Sequence, residues 1–309
     1  MPTPVRPVTA APPARGTRRR SSRLIATALV GVAAAGGTAA VLPSAATAAD
    51  PGDLKRYYGI FDRGPAKIPG RDTSWTPQGL AYWPEQNALV ISYYDSSGAQ
   101  NSRLAVVDRT TGARRKLLVM PTKGHVGGLA MTGSYLWVAN NGKLVRFSKA
   151  QLTKKAELAT LKSNGSYAAA ASSYLTATAD ALWVGTFSKA ATGTSSVYRY
   201  PLDAKQRPSA RPSSTVSTPT RVQGMAFGGG KVVWSRSYGR DSRSRIDVAP
   251  TSNPTQPSRI ITAPKMSEGI VNDGSRFHVV YESASSTYAD ASYRVKTIHS
   301  APVATLLGP

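Results

Sequence analysis

A short pattern recurs along this chain at nearly constant spacing: a small or polar residue, then Gly, then the apolar start of a strand. It reads Gln78-Gly79-Leu80-Ala81, Gly127-Gly128-Leu129-Ala130, Gln223-Gly224-Met225-Ala226 and Glu268-Gly269-Ile270-Val271. Gly79 and Gly128 lie 49 residues apart, Gly224 and Gly269 lie 45 apart, and Gly128 and Gly224 lie 96 apart, twice 48. The doubled gap predicts a hidden unit, and the degenerate start Ser172-Ser173-Tyr174-Leu175 fills it. A period of this length marks one supersecondary unit that buries its apolar faces only against its neighbours.

A second marker has the same period. Each start is followed by an apolar run, often with Trp: Ala88-Leu89-Val90-Ile91, Leu136-Trp137-Val138, Leu182-Trp183-Val184, Val232-Val233-Trp234 and Phe277-His278-Val279-Val280. The runs are short, rich in Val, Tyr and Trp, and separated by turn residues such as Thr132-Gly133, Gly228-Gly229-Gly230 and Asp273-Gly274, which favours strands and hairpins over helices. A third strand follows in each unit, as in Arg103-Leu104-Ala105-Val106-Val107 and Lys143-Leu144-Val145-Arg146-Phe147, and an outer one is expected around Leu117-Leu118-Val119. Four strands per unit of about 45 residues predict an all-β, five-bladed β-propeller, with six blades as the alternative. The propeller is expected over residues 77–309. Residues 49–76 are expected to close the ring by pairing a strand at Tyr57-Tyr58-Gly59-Ile60-Phe61 with the last blade, which removes an exposed sheet edge. Residues 148–161 are read as an irregular outer loop and strand, and the Pro-, Ser- and Arg-rich residues 206–220 as a long connection between blades three and four.

The first 49 positions carry six of the 39 basic residues and no acid. An apolar stretch at residues 24–42 and the small-x-small triplet Ala46-Thr47-Ala48 follow. This is the pattern of a signal peptide over residues 1–48, so a secreted protein is expected, with wall association open and no membrane span left after cleavage. The export route is open, because Arg19-Arg20 resembles a twin-arginine signal but Ser22 stands where that motif takes a large apolar residue. The chain has no Cys, so stability must come from the core and not from disulfides. Beyond position 49, 33 basic residues face all 16 acids, a net +17. Such a field draws anionic polymers of a cell wall or polysaccharide rather than, outside a cell, nucleic acid; it bears on association and not on fold. A monomer is expected.

The Pro77-Gln78-Gly79-Leu80-Ala81 start, and the Met266-Ser267-Glu268-Gly269-Ile270 start followed by Val280-Tyr281-Glu282-Ser283-Ala284, resemble the broad group of strictosidine-synthase-like, gluconolactonase-like and streptogramin-lyase-like propellers. The full set resembles uncharacterised secreted propellers of actinobacteria. The resemblance covers most of the chain after the signal peptide and implies fold more than function. In gluconolactonase-like enzymes Glu, Asn and Asp hold a divalent metal in the central tunnel. Here Glu268 and Asn140 match such parts and no Asp does, so lactonase chemistry is in doubt.

The residue before each repeat Gly should face the central channel, which nominates Gln78, Gly127, Ser172, Gln223 and Glu268, with His125 close by. Loops after the second strands add Tyr94, Asp95, Asn140, Tyr238 and Glu282. Amides, carboxylates, His and Tyr around one mouth suit a polar ligand such as a sugar. Ligand contacts are therefore expected from Gln78, Asp95, His125, Asn140, Gln223 and Tyr238. Glu268 and Glu282 are the candidate acid–base pair, weighed against a structural role for Glu268 in bonding backbone amides between blades. No cofactor is expected, although a divalent ion on Glu268 is open. Three scattered His without Cys argue against structural zinc: His278 reads as packing and His299 as an outer-strand residue. The expected function is binding of a polar or anionic polymer or sugar at the channel mouth. The alternative is a hydrolase or lyase acting on a sugar or lactone. The basic run from Arg236 to Arg245 reads as a solvated loop.

Overall fold

In an apolar run such as Leu89-Val90-Ile91, consecutive side chains point to opposite faces of the sheet, so both faces need a partner. The fold supplies one on each side. Leu89 and Ile91 pack against Val280 and Ile298 of the last sheet, while Ala88 and Val90 pack against Leu129, Leu136 and Val138 of the next. One residue further on the same rule holds, since Trp137 and Ala139 turn away to meet Leu175, Leu182 and Tyr200.

The computed structural model describes residues 52–308, and the expected signal peptide lies outside the described residues. After a short helix, α1 (Lys55–Tyr58), comes β1 (Asp62–Lys67). The first antiparallel sheet then runs in order β2 (Trp75–Trp83), β3 (Ala88–Asp95), β4 (Arg103–Asp108) and β5 (Arg114–Val119). The second contains β6 (Gly128–Thr132), β7 (Tyr135–Asn140), β8 (Lys143–Ser148) and, beyond α2 (Lys149–Lys154), β9 (Gly165–Ala168). The third contains β10 (Tyr174–Ala177), β11 (Ala181–Gly185), β12 (Thr194–Pro201) and β13 (Ser214–Pro219). The fourth contains β14 (Val222–Gly228), β15 (Lys231–Arg236), β16 (Ser244–Pro250) and β17 (Arg259–Ala263). The last is built from β18 (Ser267–Asn272), β19 (Arg276–Tyr281) and β20 (Thr297–Pro302), with β1 as its outermost strand; α3 (Val303–Leu307) follows. Innermost strands touch in sequence, β2 with β6, β6 with β10, β10 with β14, β14 with β18, and β18 with β2. That circuit is a five-bladed propeller, with an apolar cluster between every pair of blades.

The repeat glycines lie where innermost strands meet. A Cβ on Gly128 would stand 2.4 Å from the Leu175 nitrogen of the next blade, and one on Gly269 would stand 2.5 Å from the Leu80 nitrogen. Gly79 and Gly224 face the next blade's backbone in the same way. The motif therefore records backbone contact at the centre of a tight ring.

Three local expectations are corrected. The closing strand is Asp62–Lys67, and Tyr57-Tyr58 belongs to α1 instead. Gly64-Pro65 inside β1 reads as a strand breaker, yet an outermost strand tolerates Pro because its outward N–H has no ladder partner. The register of β1 on β20 shifts between Arg63 and Lys67, around these residues. Residues 148–161 do contain a helix, α2, whose Leu152 is buried between blades one and two. Residues 206–220 are not only a connection, since they contain the edge strand β13, paired along β12.

α1 brings Tyr57 into the cluster between blades four and five, stacked on Phe61 with ring centroids 4.5 Å apart. The Tyr57 hydroxyl lies 2.5 Å from that of Tyr281 and 3.0 Å from Nδ1 of His299. His299, expected in an outer strand without partners, is thus a buried member of β20 that ties the ring closure together. Tyr57→Phe is expected to lower stability by about 1–2 kcal/mol, because it leaves Tyr281 and His299 without this shared partner. Urea denaturation checks this, and an unchanged midpoint would remove the bond from the account of closure.

Candidate functional site

In three blades the innermost strand is bulged at the residue before the repeat Gly. The β2–β3 register shifts between Pro77 and Leu80, that of β14–β15 between Val222 and Gly224, and that of β18–β19 between Ser267 and Ile270. Gln78, Gln223 and Glu268 each fall inside one of these irregularities. A bulge leaves an extra residue unpaired and re-aims its side chain.

A pocket of about 340 Å³ opens at this end of the channel, with Gln78, His125, Asn140, Ser172, Gln223 and Glu282 in its wall together with Phe187. Seven of the residues nominated from sequence, Gln78, His125, Gly127, Asn140, Ser172, Gln223 and Glu282, therefore share one concavity. Glu268 does not line it but lies buried behind the wall, only 2% exposed, with Oε1 lacking any hydrogen-bond partner. Glu282 accepts from Gln78 Nε2 at 2.5 Å through one oxygen and from the Tyr288 hydroxyl at 3.0 Å through the other. Gln78 also donates to the Pro77 carbonyl.

The two carboxyl groups feel each other. Burial, then the charge of Glu282, hold the Glu268 carboxyl well above the ordinary range against a hydrogen bond from Gln223. Burial pushes Glu282 up to about 7, opposed by the bonds from Tyr288 and Gln78. Tyr94 and Tyr288 are raised as well, by burial first and then by the Glu282 charge beside them. Burial thus favours the neutral form of Glu268, and Glu282, pushed up to about 7, changes its charge close to neutral pH, so these two groups are the site's candidates for giving and taking protons.

The remaining nominated residues sit as follows. Asn140 lines the pocket and also holds its floor: Oδ1 accepts from the Val126 nitrogen at 3.4 Å, and Nδ2 donates to Thr122 Oγ1 at 3.2 Å. Val126, a β-branched residue, is kept at φ 49° there. Such a conformation persists only where its surroundings enforce it. The Val126 carbonyl accepts from Ser92 Oγ, which in turn accepts from the Gly79 nitrogen, so the strained residue is tied to the bulge of blade one. His125 is exposed at the rim with its ring edge-on to Tyr94, centroids 4.6 Å apart. Tyr238 is 42% exposed and stacks on Phe187, with the Arg221 guanidinium 4.9 Å from its ring. Asp95 is outside the pocket; its carboxylate accepts from the Ser97 nitrogen and hydroxyl and from the Gln100 nitrogen, which organises the loop after β3. Tyr288 and Phe187 belong to the site and escape sequence reasoning, because both come from non-repeating segments with no spacing signal.

His278, expected to be packing, binds Asp273 through Nε2 at 2.7 Å on the opposite side of β19's turn, and Arg109 of blade one also reaches that carboxylate. Within the basic run, Arg236 and Arg245 both pair with the buried Asp247, so its two ends belong to strands and only its middle is loop.

No protein-family model matches the sequence, and no curated protein matches it. Similarity to solved structures is at the level of fold. The tail fibre of Staphylococcus aureus phage P68 gives a TM-score of 0.51 at 12% identity, over 78% of this chain and 52% of that one. A gluconolactonase of Xanthomonas campestris gives 0.39 at 14% identity, over 75% and 87% of the two chains. Hydrazine synthase of Kuenenia stuttgartiensis gives 0.39 at 13% identity, over 69% of this chain and 58% of that one. This chain thus spans little more than half of the tail fibre and of the synthase. The class is a five-bladed β-propeller with a polar pocket at its channel. Among the described residues no group of three or more His, Cys, Asp or Glu that could hold a metal ion occurs, and the Asp95 carboxylate is bound within its own loop.

Proposed function

We propose that the channel pocket binds an uncharged, hydroxyl-rich ligand of sugar size, and that the protein acts as a binding protein outside the cell, as its N-terminal signal pattern leads one to expect. One observation carries this reading: the wall is made of amides, hydroxyls, an imidazole and one carboxyl, with Phe187 as an apolar face and without Lys or Arg. Sugars are recognised by such alternating donors and acceptors, and a cation-free wall gives an anionic polymer nothing to pair with here. Calorimetric titration with a panel of neutral mono- and disaccharides tests the proposal. Gln78→Ala is expected to weaken binding about tenfold or more, roughly 1.4 kcal/mol, since it also releases Glu282 from its partner. Failure of every neutral sugar to bind in the millimolar range would sink it.

Two buried carboxyls that feel each other's charge, Glu268 and Glu282, favour a second reading, hydrolysis of a glycoside or lactone by acid–base action. The discriminating measurement is turnover of chromogenic glycosides and lactones. Activity lost in Glu268→Gln with binding retained supports the enzyme, and binding without turnover supports the binding protein.

A further inference from the structure

A cavity larger than the channel pocket lies elsewhere. It measures about 540 Å³ and lies on the flank of the ring, where the chain leaving β1 passes over the face of blade one. Its floor is one face of that sheet. Tyr93 and Arg103 stand opposite each other on β3 and β4, and Trp75 lies on the same face of β2, two residues from the partner of Tyr93. Lys67, Arg71 and Arg114 also line it. Four basic residues therefore line it and no acid does.

The floor is built and not merely basic. The Arg103 guanidinium lies over the Trp75 ring, 3.9 Å from its centroid, so it is held flat with its edge presented. One of its ends donates to Gln100, and its Nε is buried without a partner. The Tyr93 hydroxyl, on a residue 1% exposed, is likewise buried without a partner. Two unmet donors on rigid strands at the floor of a cavity are costly unless something arrives to meet them. Arg114 is paired with Glu157, but Lys67 and Arg71 have no acidic partner among the described residues. Asp95, whose charge reaches Arg103, is committed to its own loop.

We propose that this flank cavity is a second binding site, separate from the channel, for an organic anion that carries phosphate or carboxylate groups on a ring framework. Arg103 and Tyr93 would meet one acidic group at the floor, with Lys67 and Arg71 on the groups nearer solvent. The volume suits a ligand of mono- to disaccharide size. The cations absent from the channel wall are found here, so the positive charge of the chain and the neutral channel site are reconciled by two sites of different chemistry.

The test is calorimetric titration of the full chain, at low ionic strength, with trigalacturonate, fructose 1,6-bisphosphate and inorganic phosphate. Binding of either organic probe is expected, weakened about tenfold or more in Lys67→Gln/Arg71→Gln and about threefold or more in Tyr93→Phe, and falling with added salt. The carboxylate and phosphate probes tell which acidic group is preferred. Tyr93→Phe removes only an unbonded hydroxyl, so it is expected to fold at least as well as the parent. Equal affinity in the Lys67→Gln/Arg71→Gln variant, no binding of either organic probe, or phosphate binding as tightly as both would each overturn the proposal. So would loss of probe binding in Glu268→Gln, which belongs to the channel; failure of the neutral-sugar titration leaves this site untouched.

Discussion

Gly269→Ala is expected to destabilise the propeller by about 3–5 kcal/mol, a large share of the 5–15 kcal/mol that holds a typical domain together. The added Cβ would sit 2.5 Å from the Leu80 nitrogen and 2.7 Å from the Gln78 carbonyl oxygen. Both are backbone atoms of blade one, held by pairing to β3, so neither can swing aside as a side-chain tip would. Relief requires blade five to move outward. That motion opens the contact between β18 and β2, the junction through which the last blade meets the first, and displaces the Gln78–Glu282 bond. Gly59→Ala is the control. Gly59 has φ −75° at the end of α1, and a Cβ there would meet only ordinary contacts at 3.5 Å, so a gain of up to about 1 kcal/mol is expected. Urea denaturation of both variants is the measurement, and a Gly269→Ala protein within about 1 kcal/mol of the parent would refute backbone contact at the ring centre.

That contact explains why so much of the fold was legible. Four innermost strands carry Gly because the next blade's backbone leaves no room for Cβ, and the resulting spacing counts the blades. Ser173 replaces Gly in the third unit, and that copy is the one the pattern catches only through the doubled gap. Outer strands obey no such rule. β13 is Ser- and Thr-rich with a single apolar Val, and β1 contains Gly64-Pro65, so both read as connections. An edge strand is specified by its ladder to an inner neighbour more than by its own apolarity. The site divides along the same line. Gln78, Gln223 and Glu268 were legible because they occupy one register position of the repeat. Phe187 and Tyr288 come from segments unique to one blade. Asp95 and Glu282 are comparable acids at the ends of second strands, and sequence offers no means of telling that the first closes on its own loop while the second turns into the channel.

Stability is expected to fall as pH rises from about 5 to about 7.5, the reverse of a protein whose carboxylates are all paired. Glu282 has its carboxyl pushed from an ordinary 4.5 up to about 7 by burial. Between those values the native state holds a proton that the unfolded chain has released, so each step up in pH favours unfolding. The interval corresponds to about 3 kcal/mol, present in full below pH 4.5 and lost once pH passes 7. Glu268, raised by burial and by the Glu282 charge, adds to the same slope. At the acid end the sign reverses. Burial raises Asp95, but its bonds to Ser97 and Gln100 outweigh this and lower it to about 2; Asp273 is held lower still by His278 and backbone amides. Their stabilisation is present above about pH 4 and is lost as pH falls through their native values. The two trends place the maximum near pH 5. Chemical denaturation from pH 3 to 9 measures the curve, and Glu268→Gln/Glu282→Gln is expected to flatten its neutral limb while leaving the acid limb in place. A parent protein that gains stability between pH 5 and 7.5, or a double variant with an unchanged slope there, would mean that the two carboxyls are ionised and solvated. The buried carboxyl pair, and with it the acid–base reading of the channel, would then have to be abandoned.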